Sequence, residues 1–84
     1  MNNITSQQIT EIAKALGSAL SLFVPGYAPF VVAATGIIEL IDRTLLPIVE
    51  SFHGGEASVA RQALVAVRTQ ALEIRVGVPP AAHN

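Results

Sequence analysis

The side chains best suited to chemistry in this chain lie in Glu50-Ser51-Phe52-His53. A Glu-x-x-His spacing puts a carboxylate and an imidazole on one helical face, as di-iron helical bundles use it for two of their ligands. Such a centre needs further carboxylates converging on the same point. Glu39 and Asp42 stand about two or three turns away along the same predicted helix, so only a symmetric oligomer could gather the set. A solvated polar face with His53 near a helix C-terminus accounts for these residues without a metal. Covalent catalysis has less material still. The chain has no cysteine and two histidines, and Ser18, Ser21, Ser51 and Ser58 fall in predicted helices or caps with no base-oriented nucleophile in view. Neither G-x-x-x-x-G-K nor G-x-G-x-x-G occurs, so no phosphate-cradling loop is read. The expectation is a protein that is not an enzyme and requires no cofactor or metal.

Arg61, Arg68 and Arg75 recur every seven residues. On a helix they form a column with one guanidinium about every 10 Å. Such a column is either a strip for phosphates or a partner's carboxylates, or a set of flanking charges that pair with Glu39, Asp42 and Glu50 of a neighbouring helix. Five basic against six acidic residues, and no Lys after Lys14, favour pairing and make nucleic acid a poor partner.

Helices must position these groups, and the start of the first is clearly marked. Thr5-Ser6-Gln7-Gln8 fits a capping box with Thr5 as N-cap, and Ile4 and Ile9 fit the two positions of a hydrophobic staple. From Ser6, the apolar residues Ile9, Ile12, Leu16, Leu20 and Phe23 recur at spacings of three and four, predicting an amphipathic helix to about Val24. Beside them Ala13, Gly17 and Ser21 form a small-residue ridge suited to close packing, with the second helix as the expected partner. Pro25-Gly26-Tyr27-Ala28-Pro29 breaks the chain and predicts a tight antiparallel pair.

Pro29 to Phe52 reads as one long central helix around which the others pack. At 100° per residue, Glu39, Arg43 and Glu50 share a narrow face, while Ala34, Ile37, Ile38, Ile41, Leu45, Ile48, Val49 and Phe52 lie opposite. Val32 and Leu46 fall within about 20° of Glu39, on the face that ought to be wet, and are left for a neighbour to bury. Pro47 removes a hydrogen bond and crowds the carbonyl of Arg43, predicting a kink there. After Gly54-Gly55 comes a third helix, Glu56 to Val76. Its residues Ala57, Ala60, Leu64, Val67, Ala71, Ile74 and Val78 alternate at three and four to give a heptad seam. Gly77 is placed to cap this helix and Pro79-Pro80 to end it.

The fold class expected is all-α: three helices forming two consecutive helical hairpins, with residues 1–78 as one domain and 79–84 as a Pro/Ala-rich tail. The chain is 51% hydrophobic and 13% charged, against about 25% charged for an ordinary soluble domain. Its 84 residues are also few for a self-sufficient core. Other copies, another protein or lipid must cover part of the outside. The start, MNNITSQQIT, lacks a basic segment followed by an apolar one, so no secretory signal is read and a cytoplasmic or virion-associated place is expected.

The function read from this is a small helical oligomerisation or docking module, partnered by copies of itself or by another protein. Its expected setting is viral or phage virion assembly. Val32, Leu46, Glu39, Asp42, Glu50 and the three arginines are the expected interaction residues. One alternative is a membrane-inserting helical hairpin, holin-like or pore-forming, because the 24 residues 15–38 carry no charge. The PGYAP break divides them into two pieces, each too short for a bilayer core of about 30 Å, which leaves a wedge. A second alternative is a small inhibitor that binds one host protein.

Overall fold

The computed structural model describes residues 4–77. Among them every regular element is helical: α1 (Ser6–Leu20), α2 (Ala28–Leu40), a π-helical turn (Ile41–Leu45), the single-turn α3 (Leu46–Val49) and α4 (Gly55–Val76). Val78, expected to end the third helix's seam, and the proposed tail 79–84 lie outside the described residues.

α1 begins at Ser6 with the capping box in place. The Gln8 backbone N–H donates to Thr5 Oγ1 at 3.1 Å, and the Thr5 N–H donates to Gln8 Oε1 at 2.9 Å. Ile9 is fully buried and Ile4 packs half-buried on the core. The helix ends at Leu20 rather than about Val24, since Pro25 disfavours α geometry at Val24. Its buried line is Ile9, Ala13 and Leu20. Ile12, expected on the stripe, is 37% exposed. The helix has turned its small-residue side inward, where a neighbour can approach closely.

That neighbour is α4, and α4 rather than the Pro29–Phe52 stretch is the element the others share. It packs against both α1 and α2, whereas α1 and α2 make little direct contact. Its line Ala57, Ala60, Leu64, Val67, Ala71 and Ile74 is buried throughout, and the alanines in it let two helices come near one axis. α1 runs beside α4 in the same sense, with Ser6 and Thr10 near Gly55 and Val59 and Gly17 near Val67 and Gln70. α2 runs in the opposite sense, from Gly26, whose N–H donates to the Ile74 carbonyl at 3.0 Å, to Asp42 beside Arg68. Gly26 and Gly77 have φ of 79° and 85°. A Cβ on Gly26 would stand 3.6 Å from the Gly77 Cα, so both positive φ and close backbone approach call for glycine at this end.

The central stretch departs from uniform α geometry. The Leu46 N–H donates to the carbonyl of Ile41, five residues back. One extra residue in a turn rotates everything after it by about 100° relative to an α-helical count. For this reason Leu46, expected beside Glu39 on the wet face, is instead half-buried against the core. Pro47 sits in the first turn of α3, where its missing N–H has least cost.

The core comprises Ile9, Leu20, Ile41, Val49 and Leu64, all essentially inaccessible, with nine further apolar residues around them. Each of those five large side chains contributes about 1.5–3 kcal/mol by leaving water. No polar or charged side chain is buried among the described residues. The molecule measures 37 × 28 × 16 Å, about two helix layers thick at an interaxial distance of 8–10 Å.

Candidate interaction surface

Asp42 and Arg68 form an ion pair made of two parallel hydrogen bonds. Arg68 Nε donates to Asp42 Oδ1 at 2.8 Å and Arg68 Nη2 to Oδ2 at 3.1 Å. This fork-on-carboxylate arrangement is specific to arginine and ties the π turn to α4. The hydrogen bond to Asp42, with its charge second, raises the Arg68 pKa above the ordinary arginine value. Arg61 and Arg75 are exposed and make no ion pair among the described residues. Glu39 and Glu50 are likewise exposed and unpaired there. Arg75 lies at the end of α4 that Gly26 contacts, beside the stretch 15–38 that has no acid to offer. The structure thus brings Arg68 to Asp42 and leaves the other members of the column facing solvent.

The small-residue ridge divides by position. Ala13 is buried, Gly17 is half-buried and Ser21 is exposed. A Cβ on Gly17 would lie 3.4 Å from Gln70 Oε1 and 3.7 Å from Val67 Cγ2. Gln70 Nε2 also donates to the Gly17 carbonyl at 3.1 Å. Close approach at Gly17 therefore serves the α1–α4 contact, with one side-chain amide fixing the register between the two helices.

Val32 is 71% exposed on α2. Gly36 and Leu40 follow it at spacing four. Leu40 is 41% exposed, and a Cβ on Gly36 would meet nothing within 4 Å. Glu39 and Arg43, both exposed, belong to the same outer side. Leu40 was not among the expected interaction residues, although its place two turns after Val32 was readable from the spacing of four.

A second apolar area occupies the end where Gly26 meets α4. Leu22 is 80% and Val76 68% exposed, and Val24 and Tyr27 are exposed as well. Phe23 stacks on Phe30 with ring centroids 4.6 Å apart, and Tyr27 meets Phe30 edge-on at 5.4 Å. Sequence spacing missed Leu22 and Val76 because both lie at helix ends, where periodicity carries no signal.

Two open grooves among the described residues do not gather reactive groups. One, of about 550 Å³, runs between the starts of α1 and α4 and is lined by Thr10, Glu11, Lys14, Glu56 and Val59 among others. The other, of about 380 Å³, is lined by Ile4, Pro47, Ile48 and Ser51. Glu50 and His53 are exposed, and no three potential metal-binding side chains converge among the described residues. No helix among those residues is long and apolar enough to cross a membrane. The chain matches no protein-family model, no curated protein and no solved structure.

Proposed function

We propose that this protein is a non-enzymatic helical module that works by associating with further copies of itself, as a unit of a repeated assembly. The observation that carries the reading is the exposed apolar line on α2, where Val32 is 71% accessible and Leu40 41%, on a chain with 13% charged residues. Each such side chain gains about 1.5–3 kcal/mol when a neighbour covers it fully. The line is presented by α2, which packs on α4 on its other side, while α1 packs on α4 and makes little contact with α2; a change of axis direction near Pro47 fits the π turn and the proline that follow α2.

The apolar end formed by Leu22, Val24, Tyr27 and Val76 supports a second reading, in which that end rests in the headgroup region of a bilayer without spanning it. Molar mass over a dilution series without detergent, followed by vesicle flotation of the same sample, separates the two. The assembly reading expects an oligomer that loses mass on dilution and stays in the aqueous fraction. A monomer that floats with vesicles supports the second reading and removes the first.

A further inference from the structure

Gly36 is a glycine that the single chain gives no reason for. It lies inside α2, has no left-handed φ, and has nothing within 4 Å of the place a Cβ would occupy. Glycine lowers helix stability relative to alanine, so within one chain the position is a loss without a gain. On either side, one turn away, stand the exposed Val32 and Leu40. Glu39 and Arg43 flank the same face with opposite charge, and neither is ion-paired among the described residues.

We infer that this face is an isologous docking site for the α2 of a second copy, crossing antiparallel, with Leu40 of each copy seated over Gly36 of the other. This assignment rests on the self-association reading above and specifies its contact. A two-fold axis level with Ile38 puts Leu40 opposite the partner's Gly36 and, by symmetry, Gly36 opposite the partner's Leu40. Helical side chains lean toward their own N-terminus. In an antiparallel crossing Glu39 and the partner's Arg43 therefore lean toward each other, and the charges match in both directions. A parallel crossing would set Glu39 against Glu39 and Arg43 against Arg43, so the charge pattern selects the antiparallel one.

The test uses the full chain and sedimentation equilibrium. Gly36→Gln adds a long side chain where the monomer has open space and improves helix propensity, so helix content and cooperative melting should be kept while self-association weakens at least about tenfold. Glu39→Arg and Arg43→Glu should each associate poorly alone, whereas an equimolar mixture of the two variants, or the double swap in one chain, should associate like the parent. If the parent is oligomeric and Gly36→Gln leaves its mass unchanged, this face is wrong while the self-association reading stands. If the parent is monomeric, both fall. Failure of the mixed variants to associate, with Gly36→Gln still disruptive, would overturn the antiparallel pairing.

Discussion

Two individual residues fix how the helices register against one another, and each can be tested alone. Arg68 grips Asp42 with two bonds, so Arg68→Glu should lower the melting temperature by opposing two carboxylates. Adding Asp42→Arg should recover part of that loss, and adding Glu39→Arg should recover none, because Glu39 makes no ion pair with Arg68. Equal recovery from both would mean that only net charge matters. Since the fold raises the Arg68 pKa, arginine's share of this stability is present at every pH below its own titration and is lost only in strong alkali. At Gly17 the contact is steric. Gly17→Leu forces a branched side chain against Val67 and Gln70 and should cost on the order of 1–3 kcal/mol in urea unfolding. A variant as stable as the parent would show that α1 can slide away from α4 freely.

At the scale of elements, the π turn decides which side chains of the central stretch meet the core. It behaves as one residue inserted into an α-helix, so removing one exposed residue from it should restore α register without turning Leu46 or Val49 away. Deletion of Thr44 together with Pro47→Ala should therefore keep helix content and cooperative melting. Deletion of Glu39, equally exposed but inside regular α2, rotates Ala34 about 100° against Ile41 and should abolish cooperative melting. If both deletions unfold the chain alike, the turn is a fixed structural need and not an inserted residue.

The same turn explains where the sequence was readable and where it was not. The Thr5–Gln8 box and the α4 seam depend only on residues within a turn or two of each other, and the box, and the seam from Ala57 to Ile74, stand in the structure as the spacing predicts. The face of Leu46 depended on counting 100° per residue through Ile41–Leu45, where that count fails. The Arg column offered three acidic partners, and choosing Asp42 required the sliding position of α4 along α2, which the distant Gly26–Ile74 contact sets. That α4 and not the central stretch would be shared likewise follows from how both its neighbours lie across it. Local spacing holds no trace of that.

For the whole molecule the deciding quantity is the ratio of apolar residues to interior. A body 16 Å through its thinnest dimension has too little inside for a chain that is 51% hydrophobic. Leu22, Val32 and Val76 are left at 80, 71 and 68% exposure. Such surface in water favours association until it is covered. The small thickness also means that a covering copy would add a helix layer to a structure with only about two of its own. The direct test is the molar mass of the purified chain at micromolar concentration in detergent-free buffer, by light scattering or sedimentation equilibrium. A discrete species at twice the 8.8 kDa chain mass or a higher multiple is expected if the exposed apolar surface is covered by further copies. A monodisperse species at 8.8 kDa would contradict such covering.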